Sequence, residues 1–298
     1  MATLRTAEIS AYEKPWAYVV LTKPDVTFLV VITTVAGFYL GSRGSLDRTL
    51  LMHTLLGTTL VAAGTAALNQ YFERDMDAVM RRTAARPLPI GLLQPQEALL
   101  FGVGTLVFGS AWLAFAVNAV SALLALATTV LYLGLYTPLK KRTTLATAVG
   151  AIPGALPPLI GWAAATHGSL SLGAWLLFAI LFFWQFPHFF AIAWMYREDY
   201  ARAGIRMLPV IDPSGDATFR QILAMSAILV PVSLLPAVIG MAGIRYFFGA
   251  LVLGMILLEV SLWANRERTN VRAKWLMHTT VAHIPLLLGL MILDKLTR

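Results

Sequence analysis

Residues 171–196 read SLGAWLLFAILFFWQFPHFFAIAWMY, a run without one Asp, Glu, Lys or Arg. At a helical rise of about 1.5 Å per residue, about 20 such residues cross the ~30 Å hydrocarbon core of a bilayer. The same reading applied along the chain finds nine apolar segments, at approximately 16–41, 50–72, 97–117, 119–137, 143–165, 171–196, 219–243, 245–264 and 275–295. Several contain Gly or Pro, as in Gly150 through Pro158. Transmembrane bundles tolerate this because neighbouring helices satisfy the freed backbone groups.

Composition agrees. The chain is 58% hydrophobic and 13% charged, with a mean hydropathy of +0.72. A soluble domain keeps about 25% of its residues charged, so half that fraction leaves too few to cover a water-facing surface. The expected fold is therefore an all-α integral membrane protein of about nine transmembrane helices. The absence of Cys excludes disulfides, a thiolate nucleophile and a Cys-based metal site. The net charge of +8 raises the question of nucleic acid. Most of the basic residues, however, lie in short loops between apolar runs, so membrane lipid is the expected surrounding and nucleic acid is not an expected partner.

Those loops orient the chain. With the N-terminus in the cytoplasm, 17 of the 23 Lys and Arg lie inside and five outside, with Lys23 in the first span. This is the positive-inside bias. The segment 1–15 is mixed in charge and has neither a signal-peptide core nor transit-peptide character, which fits the inner membrane of a bacterium. Residues 1–298 read as one membrane-embedded domain. Two inside loops, 73–96 and 197–218, are longer than a connector needs, so chemistry is expected on the cytoplasmic face.

The second span ends in Asn69-Gln-Tyr-Phe-Glu73-Arg-Asp75-Met-Asp77. Asn69, Glu73 and Asp77 are spaced i, i+4, i+8 and share one helix face, while Asp75 points away. A solvated helix end would account for one such acid. Three acids within five residues, in a chain with only 15, point to a bound cation, because carboxylates at the mouth of a membrane helix repel each other and lose hydration. All-oxygen ligands suit Mg²⁺ or Mn²⁺. Glu198 and Asp199 follow the sixth span on the same face. Around both clusters stand Arg81, Arg82, Arg86, Lys140, Lys141, Arg142 and Arg202, cations suited to a departing pyrophosphate. Taken singly, each is an ordinary topology residue.

The segment Asn69 to Asp77 resembles the Asn-x-x-x-Asp-x-x-x-Asp signature of the UbiA superfamily of intramembrane prenyltransferases, with Glu73 in place of the middle Asp. Arg86-Pro87-Leu88-Pro89 resembles the Arg-Pro stretch after it. Finer blocks resemble one branch, the heme O synthases (protoheme IX farnesyltransferases): Leu21-Thr-Lys23-Pro24, Tyr136 to Arg142, Gly154 to Trp162, Trp184-Gln-Phe-Pro-His188-Phe189 and Tyr196-Arg197-Glu198-Asp199-Tyr200 through Val210. The second acidic motif departs from the paired-Asp form of the superfamily, with His188 near the place of its first Asp.

The resemblance implies transfer of farnesyl from farnesyl diphosphate to the vinyl group of heme b. Asn69, Glu73, Asp77, Asp199 and Glu198 would bind the metal. Lys23, the basic loop residues, His188, Tyr196 and Arg197 would contact the substrates, with His188 the candidate for heme contact. Heme O would pass to a heme A-forming enzyme or a terminal oxidase downstream. Two alternatives stay open within the superfamily: an aromatic acceptor such as 4-hydroxybenzoate, and a chlorophyll-type tetrapyrrole. A transporter would instead carry ionisable residues near the midplane of several spans.

Overall fold

The computed structural model describes residues 13–296. Most of the expected N-terminal segment, with Arg5, lies outside the described residues, as does Arg298. Among the described residues every regular element is helical, with one isolated antiparallel bridge between Ala242 and Lys295.

The first expected span is two helices, α1 (Glu13–Leu21) and α2 (Pro24–Gly41). The break between them has a local cause. Lys23 takes a left-handed backbone conformation, φ 47°, rare for a residue with a side chain. Pro24, whose fixed φ suits the first helical position, restarts the helix. Helix α3 (Arg48–Val79) is longer than the expected 50–72 and carries the acidic motif on its last turns. Next come α4 (Pro95–Ala116) and α5 (Ala119–Val130), then a π-helical stretch over Leu131–Tyr136 and the short α6 (Thr137–Leu139). The fifth span is broken at Leu156 into α7 (Ala146–Ala155) and α8 (Pro157–Ala165). Helix α9 (Leu172–Met195) is followed on the loop side by α10 (Arg197–Arg202) and α11 (Leu208–Ile211). Three long helices close the fold: α12 (Asp216–Val238), α13 (Ile244–Arg266) and α14 (Asn270–Leu293). Nine helical stretches among the described residues are long and apolar enough to cross a membrane.

Small residues set the spacing at the centre. A Cβ on Gly37 would strike the Pro158 carbonyl, and one on Gly161 the Thr34 carbonyl. Helices α2 and α8 thus meet backbone to backbone, the close approach that glycine permits between membrane helices. The largest buried cluster joins α2, α7, α8 and α9 to the three C-terminal helices through residues such as Leu159, Ile180, Phe219 and Leu257. Leu100, Val107 and Phe115 on α4 point outward, with Phe115 92% exposed. In a bilayer such a face meets lipid tails.

Candidate active site

The end of α3 assembles the site because its face is fixed by the helical repeat. Asn69, Glu73 and Asp77 are all buried, while Asp75 is exposed, as the spacing predicts. Each of the three meets a basic side chain from elsewhere in the chain. Lys23 Nζ donates to Asn69 Oδ1 at 2.5 Å, Lys140 Nζ to Glu73 Oε1 at 2.6 Å, and an Arg86 guanidinium nitrogen to Asp77 Oδ2 at 2.6 Å. The left-handed turn at Lys23 and the position of Lys140 just past α6 bring both side-chain amines to the same helix face. Lys140 also lies over the Tyr136 ring, 4.5 Å from its centroid. Burial opposes the charge on Lys140, but Tyr136 and the Glu73 carboxylate outweigh it and hold the ammonium above the ordinary lysine range.

Beneath this row lies a cavity of about 270 Å³, lined on its polar side by Lys23 and elsewhere mainly by carbon. Its wall includes Val30, Val61, Tyr132, Tyr136, Gln185 and Phe189. Tyr132 and Tyr136 face it from the π-helical stretch, their ring centroids 5.2 Å apart. Wide helical turns of this kind recur at functional sites. The row and the cavity together offer polar atoms for a charged head and carbon for an apolar tail.

The second acidic pair occupies a separate, shallower pocket with Arg81, Arg82, Met195 and Tyr196. Asp199 is buried, accepts from the Arg82 backbone N–H at 3.3 Å, and pairs with Arg202. The Arg82 guanidinium lies over the Tyr196 ring, 5.1 Å from its centroid. Glu198 is exposed. The pocket is tied to the first row through packing of Met76 and Met80 on Ile205 and Met207, and through a bond from the Arg206 N–H to the Lys140 carbonyl at 2.7 Å.

The structure does not bring every predicted residue to these pockets. Lys141 and Arg142 are exposed and line neither pocket. The Arg197 guanidinium bonds the Trp194 carbonyl and Asn270, away from both. His188 stacks on Trp184, with ring centroids 4.9 Å apart, and hydrogen-bonds Thr280 on α14. It is not part of the cavity wall; its neighbours Gln185 and Phe189 are. The sequence reading missed those two and the two tyrosines. A signal was available: the aromatic spacing Tyr132–Tyr136 is itself i, i+4.

A divalent cation can be tested against this donor set. Asp77 Oδ1 is buried and has no hydrogen-bond partner among the described residues, an orphaned acceptor that a cation would satisfy. No group of three His, Asp or Glu side chains is arranged to hold a metal by itself among the described residues. That combination fits Mg²⁺, which binds through one or two carboxylates and completes its shell with phosphate oxygens and water.

The sequence profile of the UbiA prenyltransferase family matches residues 30–284. The chain belongs to that family. Among curated UbiA relatives, the protoheme IX farnesyltransferase of Solibacter usitatus is 50% identical over 287 residues, covering 93% of this chain and 98% of that protein. The protein of the same name from Aquifex aeolicus is 41% identical, covering 93% and 94%. Solved UbiA-fold structures superpose closely. A digeranylgeranylglyceryl phosphate synthase gives a TM-score of 0.78 at 19% identity, covering 95% of this chain and 98% of that one. A UbiA homologue from Archaeoglobus fulgidus bound to DMAPP and Mg²⁺ gives 0.66 at 17% identity, covering 92% and 98%. At such identities the likeness is one of fold. It agrees with the nine apolar helices in making this UbiA member a multi-pass membrane protein.

Proposed function

We propose that this protein transfers the farnesyl group of farnesyl diphosphate to a vinyl group of heme b, giving heme O and pyrophosphate. The observation that carries the reading is the buried row Asn69, Glu73, Asp77 standing over an apolar cavity. Heme as acceptor is supported by the name shared by relatives up to 50% identical over nearly the whole chain.

Under this reading Asn69, Glu73 and Asp77 would hold Mg²⁺ or Mn²⁺, with Asp199 and Glu198 as a second set. A divalent ion on the diphosphate supplies Lewis-acid stabilisation of the leaving group. Lys23, Arg86 and Lys140 grip the diphosphate at the mouth of the cavity. Arg81, Arg82, Arg202, Lys141 and Arg142 make the rim positive, which favours the charge that grows in the transition state. Tyr132, Tyr136 and Phe189 keep water from the allylic carbon. The C–O bond from farnesyl C1 to the diphosphate breaks, and its electron pair leaves with pyrophosphate. The vinyl π electrons form the new C–C bond. Water then adds to the cation beside the macrocycle and loses a proton, leaving a hydroxyethylfarnesyl group.

The loops carrying these residues face the cytoplasm, by the 17-to-5 bias in Lys and Arg. The whole chain acts as one domain in a bacterial inner membrane. The test is an assay of purified protein with Mg²⁺, farnesyl diphosphate and heme b, read by mass spectrometry of the tetrapyrrole. A product heavier by one hydroxyfarnesyl equivalent supports the reading. Transfer to 4-hydroxybenzoate, with heme unmodified, would replace the acceptor.

A further inference from the structure

At the opposite end of the bundle from the acidic row, a second cavity opens among the ends of α2, α9, α12 and α14. We propose that this cavity binds the phosphate headgroup of a membrane phospholipid. The end it occupies carries only five Lys and Arg by the sequence count, and two of them, Arg43 and Lys295, line this one cavity. Positive residues are scarce on that side of a membrane protein, so topology does not account for their convergence. No Asp or Glu among the described residues lines the cavity.

Among the described residues the cations have no carboxylate partners. Lys295 Nζ donates to the backbone carbonyls of Tyr39 and Ser42, at 2.6 and 2.7 Å, which fixes the ammonium without neutralising it. Arg43 makes no ion pair with any described residue. A set of backbone N–H donors adds to them. Ser171 and Gly173, also in the wall, open the 24-residue helix α9, and the Ser171 side chain makes no capping bond. The first-turn amides of Leu172 and Gly173 therefore have no intrahelical acceptor and carry the positive end of the helix dipole.

Two cations and an uncapped helix start form a site for a tetrahedral oxyanion. The rim points to a lipid as its source rather than free phosphate. Leu293 is 85% exposed and Leu296 45% exposed at the mouth. The cavity lies at the ends of membrane-spanning helices, where headgroups sit and an acyl chain can run along that apolar edge.

The test is native mass spectrometry of the full chain after detergent exchange, titrated with phosphatidylglycerol. Wild type is expected to hold one lipid, and the double variant R43Q/K295Q to lose at least about tenfold in occupancy. Lys295 braces the Tyr39–Ser42 turn, so R43Q alone, which breaks no ion pair among the described residues, serves as the second variant. Equal lipid occupancy in wild type, R43Q and R43Q/K295Q overturns the proposal. So does displacement of the lipid by millimolar inorganic phosphate, which would make the site one for a free anion.

Discussion

Lys140 Nζ lies 2.6 Å from Glu73 Oε1, joining residues 67 positions apart, and both side chains are about nine-tenths buried. A charge pair so far out of water is held by its geometry, and removal of one partner leaves the other unpaired in a poor solvent. Glu73→Ala is expected to cost about 3–5 kcal/mol of stability, read as a fall in the thermal midpoint in detergent. Replacing both residues with Met should recover much of that stability without recovering prenyl transfer. A double variant as unstable as the single one would show that the pair does not act as a unit.

Asp77 separates fold from chemistry more cleanly. Asp77→Asn keeps the shape and can still meet Arg86, but loses the charge that a divalent ion needs. Turnover should fall by about 10²-fold or more, with the helical signal unchanged and the Mg²⁺ concentration for half-activity raised. Chelation should abolish wild-type activity, and Mg²⁺ or Mn²⁺ should restore it. Full activity of Asp77→Asn at wild-type Mg²⁺ would remove this side chain from the metal site.

His188 is tied to Thr280 and stacked on Trp184 outside the cavity wall. His188→Ala should therefore leave the Soret band of added heme unchanged while lowering the thermal midpoint. A lost or shifted Soret band would return the histidine to the heme site.

The contact of α2 with α8 predicts a position-specific effect of adding one methyl group. Gly161→Ala forces a Cβ onto the Thr34 carbonyl, an overpacking that costs about 1–3 kcal/mol. Gly289, on a late turn of α14, has open space around it. Gly289→Ala should be neutral or mildly stabilising. Equal thermal shifts in the two variants would contradict the close approach.

The spans were legible because lipid imposes a length and a composition on every helix that crosses it. Residues 171–196 differ from α9 and its cap by a residue or so for that reason. The break at Lys23 was hidden inside a run that hydropathy reads as continuous, although Lys23-Pro24 held the clue. The row on α3 was legible from a repeat within one helix. Its partners were not, since Lys23, Arg86 and Lys140 reach it through the tertiary fold, and no local pattern encodes which cation meets which acid. His188 illustrates the same limit: it lies within a distinctive block, yet the block's cavity-facing members are Gln185 and Phe189.

The pairing of each member of the α3 row with a basic group has a thermodynamic consequence under the proposed reading. A lone divalent cation arriving there must displace the basic groups held against the row, and a lone diphosphate must pull them from their partners on it. Arriving together, the two ligands exchange partners with the row and leave its net charge little changed. Metal and diphosphate should thus bind with positive cooperativity, each raising the affinity of the other by the same factor. Either ion alone would then bind the row weakly.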